Sequence, residues 1–409
     1  MTRLCNTRAQ RPLTAQLPST HCSRCAVFMI AVLVCLVAEA CPFCGVVAEP
    51  LAWRRDTAAC VAVGEPYGAT SIGVDGLPRR SFRVLSVLAG AGIASGDSVI
   101  ARPESPSEGT AVLFGRREGE NEATLIWSAI VADEALLAHV ATAPRTDRPA
   151  VERLDWFAAR LHHPDALIAD DAFAEFGIAP FAAVRDAADS FDVAALCEQV
   201  IEPLGDQRKR GFFGLALGLA ASRATDPLER EAARMVLREA IAAPADDFRS
   251  GFDGMLAGLL VAEGEEGLDF IESLGLLGRS DSIEGGAPIP RPVDQRHLLS
   301  ALRFAWESLS DSIPRSRVAA ATRELLRWPV VAADAAVDLA RYGDWAAVDV
   351  DAELWSSLGR EDPLVRRAVA GYLSACPEPI ARKRLEAIRR QDPLAAEAAL
   401  EAARFPLAR

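Results

Sequence analysis

The chain has 409 residues, half of them hydrophobic and a quarter charged, with a formal net charge of −13. A chain this acidic repels phosphate backbones, which excludes nucleic acid as a partner. The length predicts two or three domains, and the near absence of lysine (Lys209 and Lys383 only) reflects genome composition rather than function.

The first segment reads as a targeting signal. Arg3, Arg8, Arg11 and Arg24 stand in a stretch without acids, and Cys25 to Ala38 is apolar and uncharged. The run ends at Ala38-Glu39-Ala40, a small-x-small cleavage site. Residues 1–40 are therefore expected to be a signal peptide, and the mature protein to be exported to the periplasm or the exterior. The apolar run falls short of the roughly 20 residues a bilayer span needs, so no transmembrane helix is expected in the mature chain. Glu39 occupies the place where a lipid-attachment box needs a small residue, which argues against lipidation of Cys41. Cleavage removes four arginines and one acid, leaving the mature chain more acidic still.

Five cysteines remain after cleavage: Cys41, Cys44, Cys60, Cys197 and Cys376. Cys41-Pro42-Phe43-Cys44 is the sharpest motif. One reading is an N-terminal disulfide involving Cys41, Cys44 or Cys60. A second is redox or thiol-trapping chemistry, and a third is metal binding. A reactive thiol needs a lowered pKa, usually from a helix N-terminus that follows a strand, and no mature strand precedes Cys41. Two thiols without a nearby histidine make a poor zinc site. No metal or other cofactor is expected. Cys197 and Cys376 are expected as buried thiols. The motif also resembles that of glutaredoxin-type thiol enzymes.

Residues 41–145 read as a small β-rich domain. Candidate strands are Ala58–Val63, Ser81–Leu88, Asp97–Ala101, Thr110–Phe114 and Thr124–Val131, separated by Gly, Pro and Ser clusters. Gly90 to Gly96 reads as a turn between strands. Five strands in about ninety residues predict a small barrel or sandwich. A cysteine at the mature N-terminus, a strand near Cys60, and Phe82–Leu88 followed by Gly90 resemble the netrin-like OB barrel. The resemblance implies a closed five-stranded barrel. In the related metalloproteinase inhibitors the N-terminal amine and carbonyl bind the protease zinc, but their start is Cys-x-Cys, one residue shorter than here.

Residues 150–409 carry long alanine- and leucine-rich stretches with helical spacing, about a dozen helices of 10–18 residues. Turn signals recur at His163-Pro164-Asp165, Asp226-Pro227, Asp362-Pro363 and Asp392-Pro393. Asp before Pro predicts an N-cap with proline in the first turn, where its missing N–H costs nothing. Residues 278–292, rich in Gly and Pro, read as a surface loop. Gly211, Gly214 and Gly218 recur forty residues later as Gly251, Gly254 and Gly258. A forty-residue period fits paired-helix repeats. Glycine in a helix costs about 1 kcal/mol relative to alanine, so matching glycines predict a close helix–helix crossing. Asp362 to Leu373 resembles the second helix of a HEAT-like repeat, and His163 to Phe173 resembles a weaker copy. This implies an α-solenoid over residues 150–409. The whole layout also resembles a family of exported bacterial proteins of unassigned function that start C-P-F-C after the signal.

Residues with chemical potential are few. His162-His163 reads as a turn pair, because adjacent positions point apart on a helix; His139 and His297 stand alone. Asp170-Asp171, Asp246-Asp247, Glu263 to Glu266 and Asp349 to Asp351 read as solvated faces and helix starts. Trp156, Trp306, Trp328, Trp345 and Trp355 read as core anchors. No nucleophile elbow, zinc-protease, Walker or EF-hand motif is present, and no catalytic residue is assigned. The expectation is an α+β protein of two domains, a β barrel followed by a HEAT-like helical solenoid. It would act as an exported, non-enzymatic interaction or scaffold protein of the bacterial envelope, binding protein or peptide on a concave, acidic helical face. The alternatives are a thiol–disulfide protein acting through C-P-F-C and a netrin-like protease-inhibitor module.

Overall fold

The computed structural model describes residues 43–404 apart from 46, 107, 119–120, 203–205, 245–248 and 279–290. The expected signal segment and Cys41 lie outside the described residues, as does most of the 278–292 stretch.

The first elements are helix α1 (Leu51–Thr57) and strands β1 (Cys60–Ile72), β2 (Pro78–Gly90), β3 (Ser98–Pro103), β4 (Ala111–Glu118) and β5 (Asn121–Val131). The strands form a closed barrel in the order β1-β2-β3-β5-β4, with β4 returning to pair β1. The β3/β5 pair is parallel and the other four are antiparallel. All five expected strands are present. Alternate residues of each strand share a face, so Phe82 and Val84, Val99 and Ala101, Trp127 and Ala129 fill the interior with Cys60 and Leu113. β1 and β4 are buried on both faces. Their outward Val61, Val112 and Phe114 pack with Leu51, Leu136, Val140 and Ile168 in a second cluster. That double burial explains the unbroken apolar runs Cys60–Val63 and Ala111–Phe114, where the other strands alternate. Gly90 closes the barrel wall: it has φ +84°, and a Cβ there would meet Cys60 Cα at 2.7 Å.

Helix α2 (Glu134–Thr142) leads from the barrel into the helical part. There follow α3 (Ala150–Ala158), α4 (Ala166–Ile178), α5 (Phe181–Asp186), α6 (Val193–Ile201), α7 (Arg210–Arg223), α8 (Pro227–Ala242), α9 (Phe252–Glu263) and α10 (Glu265–Ser273). The last are α11 (Pro292–Ser308), α12 (Arg315–Glu324), α13 (Ala332–Tyr342), α14 (Val348–Leu354), α15 (Pro363–Ala375), α16 (Pro379–Gln391) and α17 (Pro393–Ala403). Several are shorter than expected, down to six residues in α5. Asp165, Asp226, Asp362 and Asp392 each cap a helix, accepting an N–H from the first turn at 2.8–3.2 Å. Alternate helices stack: α7 on α9, α9 on α11, α13 on α15 and α15 on α17, with α8, α14 and α16 packed alongside.

The segment before α1 is built into the helical core. Phe43 packs edge-on against Phe304 of α11 at 5.4 Å, and its carbonyl lies against Gly211 of α7. Val47 fills the space beside Gly177 of α4. Phe43 and Cys44 belong to the same buried cluster as the helices.

Candidate functional site

A concavity with an apolar floor runs between α13 and α15, with a volume of about 700 Å3. Its floor follows from helical spacing. Ala333, Val337 and Ala340 repeat at i, i+4 and i+7 along α13; Leu364, Ala368, Gly371 and Ala375 do the same along α15. Small side chains on both faces leave a trough where larger ones would have closed the contact. Ala403 of α17 completes one side and Pro329 and Val330 the other. Leu364 is 59% exposed at the rim.

Three arginines and two aspartates edge the trough: Arg296, Arg341, Arg367, Asp334 and Asp362. Asp362 is engaged as the α15 cap. Asp334 lies 3.9 Å from Arg303, and the buried Asp338 accepts from both Arg303 and Arg341. Burial pushes the Asp338 carboxyl up, opposed by Arg303. The edge of the trough therefore carries three arginines against two aspartates, in a chain that is acidic overall. Beneath and beside it aromatics fix the geometry. Trp306 stacks on Tyr342 at 3.9 Å, and the buried Tyr372 donates to the Asp344 carbonyl at 2.8 Å. The lining contains no Ser, Cys, His or Lys. The chemistry it offers is apolar contact plus guanidinium charge.

The cysteines are dispersed. Cys44 is disulfide-bonded, and it is 2% exposed, at a bend next to the buried Phe43. Cys60, Cys197 and Cys376 are free thiols. The Cys60 pairing is thereby corrected: its side chain fills the barrel interior, in a cluster separate from that of Cys44. Burial pushes the Cys60 and Cys197 thiols up.

The six glycines meet directly. α7 and α9 cross with backbone against backbone: a Cβ on Gly214 would meet Met255 Cα at 2.8 Å, and Gly218, Gly254 and Gly258 each abut backbone of the other helix. Gly211 faces Gly251, whose φ of +71° places it just outside α9 as its N-cap. They form a structural joint with no cavity.

His163 Nδ1 accepts from the Asp165 N–H at 3.0 Å, and His162 stacks on Phe213 at 5.7 Å, where burial lowers its pKa. His297 lies 3.5 Å from Asp253. The tryptophans anchor packing; Trp328 Nε1 donates to the Leu277 carbonyl at 3.0 Å. Among the acids the solvated reading holds for Asp349, which pairs with Arg384, and for Asp170, which pairs with Lys209. It fails for Asp171, Glu263 and Asp351, which are buried. Asp246 and Asp247 lie outside the described residues.

Sequence reasoning missed the barrel–helix junction. His139 Nε2 and Asp171 Oδ2 are 2.6 Å apart, and Asp171 Oδ1 accepts the Leu51 N–H at 2.5 Å. Beside them Arg153 pairs with the fully buried Glu175. The only signal for this cluster was four ionisable residues on otherwise apolar helix faces. Among the described residues no His, Cys, Asp and Glu group is arranged to hold a metal, and no helix is long and apolar enough to cross a membrane. No family model, curated protein or solved structure matches the chain.

Proposed function

We propose that this is an exported interaction protein that holds a peptide segment of a partner in the α13/α15 trough. The observation that carries the reading is the trough itself: an open apolar floor of about 700 Å3 with a positive edge, on a chain of charge −13. A surface of this kind favours a segment with apolar anchors flanked by acidic side chains. Stacked alternate helices agree with a HEAT-like solenoid, whose surfaces suit extended partners. The strand order with its parallel β3/β5 pair agrees with an OB-type Greek-key barrel. Export by cleavage after Ala40 belongs to the same reading. So does a structural disulfide between Cys44 and Cys41, which would pin the mature N-terminus into the helical core beside Phe43. The burial of Cys44 lends no support to thiol catalysis.

The test is selection of peptides from a random displayed library on the wild-type chain, followed by affinity measurement against Leu364→Glu and Val337→Glu. Leu364 is exposed, so its variant keeps the fold. Selected peptides should be rich in apolar and acidic residues and lose affinity about tenfold or more in both variants. Peptides that bind both variants as tightly as wild type would refute the assignment.

A further inference from the structure

A second concavity lies at one end of the barrel, about 360 Å3, between the β1–β2 hairpin and the chain that follows β3. Four prolines, Pro66, Pro78, Pro103 and Pro106, wall it, with Phe82 at its base. Proline carries no N–H and fixes φ, so these walls are rigid and donate no hydrogen bonds. The donors come from side chains: Arg80, with the hydroxyls of Thr70 and Ser105.

Arg80 is placed there by strand geometry. It precedes Phe82 and Val84 by two and four residues, so it projects from the barrel-interior face of β2. Its side chain is 15% exposed. The buried Nε–H has no acceptor. Nη2 donates at 3.2 Å to Glu108, whose side chain is 78% exposed. Glu104, the acid in the wall itself, is engaged by both Nη atoms of Arg54, which sits 4.5 Å from the Phe114 ring centre. The mouth thus holds one guanidinium, poorly satisfied, beside an apolar wall. A buried donor without an acceptor is costly, and a carboxylate supplies two acceptor oxygens to a guanidinium edge.

We propose that the barrel mouth binds the carboxylate of a small ligand with an apolar body, with Glu108 standing in for that carboxylate in the empty state. The ligand carboxylate displaces Glu108 from Arg80 and accepts from the guanidinium and the neighbouring hydroxyls. Its apolar body lies against the prolines and Phe82. The head group can come from a free aliphatic acid or from a peptide C-terminus.

The experiment is a ligand-observed NMR titration of the full chain. Its probes are hexanoate against hexan-1-ol, and acetyl-alanyl-leucine against its C-terminal amide. Arg80→Met keeps the apolar stem and removes the charge; Glu108→Gln removes the internal competitor from an exposed position that leaves folding intact. At least one carboxylate probe should bind while its neutral counterpart does not. Arg80→Met should weaken it about tenfold or more, and Glu108→Gln should tighten it. Binding of both acids assigns recognition to the head group, and binding of the dipeptide alone assigns it to a peptide end. No carboxylate binding to either wild type or Glu108→Gln overturns the proposal, as does equal binding of acid and neutral probe.

Discussion

Gly258 of α9 lies against the carbonyl oxygen of Gly214 on α7, so closely that a methyl group on Gly258 would overlap it. Gly218 makes the reciprocal contact with Gly258. The crossing is set by backbone, and no rotamer change can relieve an added side chain. Gly258→Ala and Gly218→Ala should each destabilise by about 1–3 kcal/mol or more, against the gain alanine brings to an ordinary helix position. Gly371→Ala on α15 is the control: its added Cβ finds Ala403 Cβ at 3.6 Å, an ordinary contact. It should be neutral or stabilising by up to about 1 kcal/mol. Denaturant melts of the three variants check this, and equal effects at all three positions would contradict it.

Glu175 makes the stability of the barrel–helix junction depend on pH. Burial pushes its carboxyl up from 4.5 to about 7, against the pull of Arg153 and with added repulsion from Asp171. The native state therefore holds this proton more tightly than the unfolded chain. Its contribution is full below pH 4.5 and is lost as pH rises through about 7. Glu175→Gln lacks that titration. As pH rises from 4.5 to 7, its stability relative to wild type should improve by on the order of 1–3 kcal/mol. Parallel stability–pH curves for the two proteins would refute the role of Glu175.

Asp351 is fully buried with both carboxylate oxygens unpartnered, and burial drives its pKa well above the usual range. Leucine has the same number of side-chain heavy atoms and no desolvation cost. Asp351→Leu should raise stability by about 1–3 kcal/mol, seen as a higher melting temperature. A lower one would mean that the carboxyl has a partner in the working protein.

The barrel was the more legible half. Its five strands stood out because turn residues mark their ends, and because β1 and β4 show unbroken apolar runs where the other three alternate. β1 runs further than its apolar start indicated, through Gly64, Pro66 and Gly68 to Ile72, because register shifts against β2 absorb residues that disfavour strands. Helix α1 was invisible: seven residues with two arginines give too short a period. The helix caps and the glycine crossing were readable because each rests on local chemistry. The trough was not. Its alanine stripes on α13 and α15 look like any packing face, and only long-range stacking decides which face stays open. The buried Asp171 and Asp351 escaped because acids in clusters read as solvated, and Glu175 because a single acid in an apolar helix gives no sign of which face it occupies.

Thiol counting tests the N-terminal account. Alkylation of denatured, non-reduced protein should label Cys60, Cys197 and Cys376 and leave Cys44 blocked. In the native state Cys60 should react slowest, since it is buried and its thiolate is disfavoured. N-terminal sequencing of exported protein should begin at Cys41; a chain retaining residues 1–40 would contradict cleavage.

The central claim is that the α13/α15 trough holds the partner segment, and hydrogen exchange of the chain with and without a library-selected peptide tests it most directly. Binding should slow exchange in residues 329–342 and 363–375, and Leu364→Glu should abolish that protection at the same peptide concentration. Protection confined to other helices or to the barrel, or protection in the trough that survives Leu364→Glu, would contradict the account.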